Sequence, residues 1–287
     1  MALYSLQTPP PLESPYLIMG LAGWGDAASA ASDAADWLAD GGQPIVSFDA
    51  DSVFDYRSNR PIIRFSAGER RSLTWPRMDI VHIKPGGRDV LVMVGNEPDF
   101  AWNQISDDLA ELSQHLGVER LITLGSVPTP IRHSIDTAAY CTASDPRVLL
   151  DDDEMLMDDI VVPASAGTVF RAAIEEVGVS TLGYWAQVPQ YVGRPYHPAI
   201  RVLLERVAAQ LDVAFDLESI SADAEDQIEK LDAILERRAD AREFVEGLEL
   251  SVGTTAKFPS DLPTADELAD EVTKYLRDAE NDENPTT

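Results

Sequence analysis

The sequence predicts an α/β protein built on a parallel sheet. Short apolar runs of strand length alternate with amphipathic helical segments along most of the 287 residues. The first strand-like run, a glycine-rich turn, a helix and a second strand follow in the order of a βαβ unit, which implies parallel strands. Apolar residues make up 45% of the chain, enough for a sizeable core.

Residues 1–14 are polar and proline-rich and read as an extended arm. Residues 16–19 (YLIM) form a buried strand. The chain then turns through Gly20, Gly23, Trp24, Gly25 and Asp26 into an alanine-rich helix that runs to about residue 40. Gly41 and Gly42 stop that helix, since glycine accepts the left-handed conformation that ends one. Residues 44–49 read as the next strand. Residues 50–78 are mixed, with a strand-like stretch at 61–65. Residues 80–84 and 89–95 are joined by Pro85-Gly86-Gly87-Arg88, a hairpin signal. Ile105, Leu109, Leu112 and Leu116 mark one face of a helix that Gly117 ends. Residues 120–125 read as a strand, 167–177 as a helix, 179–188 as a strand and 198–211 as a helix. The run Asp151-Asp152-Asp153-Glu154 with Asp158 and Asp159 lacks the spaced ligands and bend glycine of a calcium loop and reads as a solvated turn.

Beyond residue 216 the character changes. Ile228, Leu231, Leu235, Phe244, Val245 and Leu248 mark an acidic amphipathic helix. A loop with Gly253, Pro259 and Pro263 precedes a last helix, capped by Thr264 and lined by Leu268, Val272, Tyr275 and Leu276. The organisation expected is an arm (1–14), an α/β main domain (15–215) and an acidic helical C-terminal subdomain (216–287).

The net charge is −28, which disfavours nucleic acid and anionic membranes as partners. Residues 216–287 hold 21 acids and 7 bases, so half of that excess lies in the last quarter of the chain. This reads as a solubilising face or, more sharply, as an acidic docking surface for a basic partner. The single cysteine, Cys141, rules out an internal disulfide framework. No signal-like or membrane-length apolar run is present, so a cytoplasmic location is expected.

Four turns that leave strands are candidate site segments. The first holds Gly23, Trp24, Gly25 and Asp26. Its glycine spacing departs from the dinucleotide fingerprint, and it has no lysine for a Walker loop. Asp26 suits a helix N-cap or a binding role. The second holds Glu97 and Asp99, placed either to meet a ligand or to complement a helix dipole. The third holds Arg132 and His133, a cation and a titratable group. The fourth, residues 185–198, is rich in aromatics and proline and holds Gln187 and Tyr191. His82, His115, His133 and His197 are too scattered to suggest a metal, and no cofactor is expected.

Residues 16–27 (YLIMGLAGWGDA), Asn96-Glu97-Pro98-Asp99 with Trp102, residues 124–128 (LGSVP) with His133, and residues 185–191 (WAQVPQY) together resemble the proteasome assembly chaperone 2 family, over about residues 14–278. The resemblance implies a three-layer αβα sandwich similar to nucleoside phosphorylases. It also implies homo-oligomerisation, a trimer by analogy with those enzymes, and a chaperone-like or scaffolding role without catalysis. A proteasome partner follows from kinship alone, because the sequence ends Asn284-Pro285-Thr286-Thr287 rather than in a hydrophobic-tyrosine docking tail. The alternative is an enzyme or ligand-binding protein, phosphorylase-like or ATP-grasp-like. Its pocket would be lined by Trp24, Asp26, Glu97, Arg132, His133 and Tyr191, with Asp26 or Glu97 as acid or base and Arg132 clamping an anion. With four lysines in the chain, an ATP-grasp phosphate site is hard to assemble.

Overall fold

A computed structural model describes residues 2–157 and 159–251. The described residues 2–157 and 164–251 belong to one compact unit. Of the second unit (residues 158–163 and 257–287) only residues 159–163 are described, without regular structure. The expected last helix, with Thr264, lies outside the described residues.

The strands are β1 (Tyr4–Leu6), β2 (Tyr16–Met19), β3 (Gln43–Phe48), β4 (Ile62–Ser66), β5 (Glu69–Thr74), β6 (Met78–Ile83), β7 (Val90–Gly95), β8 (Arg120–Thr129), β9 (Ala139–Ala143), β10 (Glu154–Met155) and β11 (Ser180–Pro189). The helices are α1 (Ala30–Ala39), α2 (Ala50–Val53), α3 (Trp102–His115), α4 (Ala166–Glu176), α5 (His197–Leu211), α6 (Glu218–Arg237) and α7 (Ala239–Ser251). Nine strands form one sheet in the order β1-β3-β6-β7-β2-β8-β11-β9-β10, and β4 and β5 pair apart from it.

The centre of the sheet is parallel, as the sequence implies: β7, β2, β8 and β11 run side by side in one direction. Strand β2 is apolar throughout because it feeds both faces. Tyr16 and Ile18 join α1 and α5 in one core, whereas Leu17 and Met19 join α3 and α4 in the other. Helices thus flank a central sheet on both sides, and α6 packs outside α5. Helix α1 lies close over the sheet because small residues meet there. A side chain on Gly20 would fall 2.5 Å from the Ala31 carbonyl.

Several expectations are corrected. The arm is not merely extended: β1 pairs antiparallel with β3, and the Leu3 amide donates to Asp108 at 2.8 Å. Strand β3 points the same way as β2 but does not adjoin it, because the β6–β7 hairpin lies between them. Strand β8 continues four residues past Gly125. The acidic run is not all solvated. The Asp153 carboxylate is buried, accepts from Tyr184 Oη at 3.0 Å and pairs with Arg206 at 3.5 Å. The acidic helix is two helices, broken at the extended Arg238.

Candidate functional site

The four turns do meet. Because β7, β2, β8 and β11 are parallel neighbours, their C-terminal ends open on one edge of the sheet. The turns are stitched together there by main-chain bonds. Glu97 N–H donates to the Ala22 carbonyl at 2.8 Å, and Ser126 N–H to the Gly25 carbonyl at 2.8 Å. The Ser126 hydroxyl donates to the Ala27 carbonyl at 2.9 Å.

Glu97 is the hub. One carboxylate oxygen accepts the Trp24 amide at 2.7 Å, and the other accepts the Ala166 amide at the start of α4. It therefore ties the glycine turn to a helix N-terminus, where a negative charge is favoured. Glycine is required at residue 23 because a Cβ there would lie 2.1 Å from Glu97 Oε2. Asp26 works in the same manner on α1. Its Oδ1 accepts the Ala31 and Ser32 amides at 2.8 and 3.1 Å, and its Oδ2 accepts the Ser32 hydroxyl at 2.5 Å. It caps the helix from five residues upstream, and burial raises its pKa. Asp99 faces elsewhere. It accepts the Asp55 amide at 2.7 Å and Asn59 Nδ2 at 2.8 Å, fixing the loop that leads into β4.

Arg132, His133 and Tyr191 form a second cluster. Tyr191 Oη accepts the His133 main-chain N–H at 2.8 Å and lies 2.7 Å from His133 Nδ1. His133 Nε2 lies 3.1 Å from Asp232 Oδ1 on α6. A carboxylate only accepts, so the network assigns the neutral ring its proton to Nε2, and the tyrosine hydroxyl then donates to Nδ1. Burial raises the Tyr191 pKa, and Arg132 opposes that from nearby. Phe244 of α7 meets the Tyr191 ring edge-on at 6.4 Å. Gln187 is buried within β11, its main-chain N–H donating to the Ala138 carbonyl at 3.0 Å.

One residue escaped the sequence reading of the site, and another stood in it only as part of a segment. Asp232 carries no motif, since only the docking of α6 brings it to His133. Trp185 lies within the aromatic segment, and its ring roofs two glycines. A Cβ on Gly125 would stand 2.4 Å from that ring, and one on Gly25 3.2 Å. A cleft of about 380 Å³ opens beside the second cluster, between the segment after β8 and helices α5 and α6. Of the six residues expected to line a pocket, only His133 reaches it. Among the described residues no cluster of His, Cys, Asp and Glu is arranged to hold a metal, and no helix is long and apolar enough to cross a membrane.

Comparison with known proteins agrees with this architecture. The PAC2 family model matches residues 20–235. No curated protein matches. A Corynebacterium glutamicum protein of unknown function is 28% identical and superposes with a TM-score of 0.80, over 87% of this chain and 96% of that one. A Mycobacterium tuberculosis proteasome-assembly chaperone homologue is 31% identical with a TM-score of 0.71, over 80% of this chain and 99% of that one. An archaeal proteasome activator from Pyrococcus furiosus, 14% identical, shares the fold at a TM-score of 0.63 over 80% of this chain and 97% of that one.

Proposed function

Since the chain belongs to the PAC2 family, we propose that it is a non-catalytic, chaperone-like protein that binds other proteins and assists their assembly. One observation carries this reading. The carboxylates that a catalytic site at the sheet edge would need, Asp26 and Glu97, are occupied on both oxygens by groups of the chain itself. Groups saturated in this way hold architecture, and are poorly placed to accept a substrate proton. The relative named as a proteasome-assembly chaperone homologue makes proteasome subunits the first partner to try.

The test has two arms. Purified full-length chain is mixed with separately expressed proteasome α and β subunits of its own source, and half-proteasome formation is followed by native mass spectrometry. A defined complex with faster assembly is expected. In parallel, a thermal-shift screen of nucleosides and nucleotides is expected to stay flat. A ligand at a hundred times its Kd adds roughly 2.7 kcal/mol, so a clear stabilisation by one of them would replace the scaffold reading with a ligand-binding one.

A further inference from the structure

The cleft of about 380 Å³ beside the His133 cluster carries two kinds of unmet polar group. It lies past the C-terminal end of β8, the side of the sheet on which open α/β proteins hold their ligands. Helix α6 forms one wall. Its Glu225, Ile228, Glu229 and Asp232 recur at the spacing of a single helix face, and all but Ile228 are carboxylates. A helix packed on a core ordinarily turns an apolar stripe that way. Asp232 is accounted for by His133. Glu225 and Glu229, with Asp136 on the facing segment, meet no cation among the described residues, and the adjacent Lys230 is held by Asp226. Exposed carboxylates alone would simply be hydrated.

The depth of the cleft has the opposite need. Tyr196 is fully buried, and its hydroxyl has no hydrogen-bond partner. Burial raises its pKa, while Thr137 and Arg201, both lining the cleft, oppose that from nearby. Arg201 Nε is buried too and makes no hydrogen bond, and its ion-pair partner Glu205 stands at 3.6 Å. Buried donors are nearly always satisfied, so two at one cleft call for an acceptor oxygen that the chain does not supply. Between donors and carboxylates lies an apolar floor of Pro198, Ala224 and Ile228. The volume falls at the low end of the range for small-molecule sites, about 300–1,000 Å³.

We propose that this cleft binds a small aliphatic ω-amino or ω-guanidino acid. The ligand's carboxylate accepts from the Tyr196 hydroxyl and Arg201 in the depth, its methylenes lie on the apolar floor, and its cation meets Glu225, Glu229 and Asp136 at the mouth. This goes beyond the protein-binding reading and does not rest on it.

Isothermal titration calorimetry on the full-length chain tests it, with δ-aminovalerate, ε-aminohexanoate and γ-guanidinobutyrate as probes. At least one is expected to saturate a single site per chain. Valerate, which lacks the cation, and cadaverine, which lacks the carboxylate, are each expected to bind about tenfold more weakly or worse, since each loses a charged contact. Tyr196→Phe removes a hydroxyl that bonds nothing in the chain, so it should leave the melting temperature unchanged or raised while weakening the best probe about tenfold. Glu225→Gln with Glu229→Gln changes two exposed residues and should weaken it by a similar factor with the fold intact. Asp223→Asn with Glu236→Gln makes the same change in charge on α6 outside the cleft and should leave the affinity as it is. Three results would each overturn the proposal: no binding of any probe, cadaverine binding as tightly as the acids, or either cleft variant keeping wild-type affinity. The second would mark a merely acidic surface. Because the titration contains no partner protein, a negative result leaves the protein-binding reading standing.

Discussion

Removing the Glu97 carboxylate should loosen the sheet edge more than any other single change there. Glu97→Ala orphans the Trp24 and Ala166 amides, which the carboxylate now accepts. A hydrogen bond to an ionised group contributes about 1.5–3 kcal/mol when buried. Glu97 is half-buried, and water will reach the freed amides, so the low end applies and the two bonds together come to about 3 kcal/mol. For a chain of this size each kcal/mol moves Tm by about 2–4 °C, giving an expected drop of about 6–12 °C in differential scanning calorimetry. Glu97→Gln keeps one acceptor oxygen and turns an NH₂ towards the other amide, so it should lose at least half as much. Gly23→Ala reaches the same bonds by another route, because its Cβ would occupy the position of Glu97 Oε2. Gly23→Ala combined with Glu97→Ala should therefore destabilise by clearly less than the sum of the two. A Tm drop below about 2 °C for Glu97→Ala, or full additivity with Gly23→Ala, would refute the view that this carboxylate holds the turns together.

Further outcomes follow from other parts of the molecule. Tyr191→Phe leaves the buried His133 amide and Nδ1 without their partner, and should destabilise by about 1–3 kcal/mol in urea titrations while speeding amide exchange in α6. Asp26 has a folded-state pKa raised by burial, so its contribution favours the fold at low pH and is lost as pH rises through that pKa. Asp26→Asn keeps an oxygen acceptor without that titration, so the stability difference between wild type and variant should shift in the variant's favour as pH rises from about 3 to 6, read from urea midpoints. Burial pushes the Cys141 thiol up to about 11, so it should resist thiol reagents at neutral pH until the chain is unfolded.

Much of the fold was legible because core strands and helices write their burial as apolar periodicity. Residues 16–19, the hairpin turn at Pro85–Gly87 and the Ile105–Leu109–Leu112 stripe all stand where their patterns put them. What failed to show was structure without an apolar signature. Strand β5 (ERRSLT) is exposed along its whole length, so nothing in its pattern marks a buried face. Strand β9 alternates weakly and owes its place to pairing with β11.

By itself, the sequence determined an α/β chain with a parallel centre, four loops leaving that centre at one edge, and an acidic helical stretch after residue 216, since each follows from local patterning or charge. The tertiary structure alone decided what those loops do. It turned Asp26 and Glu97 inward onto amides 5 to 73 residues away in sequence, and it brought Asp232 to His133 across 99 residues. Among the described residues it also left the β4–β5 hairpin exposed along its length. A carboxylate's partner depends on which groups packing brings within about 3 Å of it, and no local pattern encodes a contact of that range.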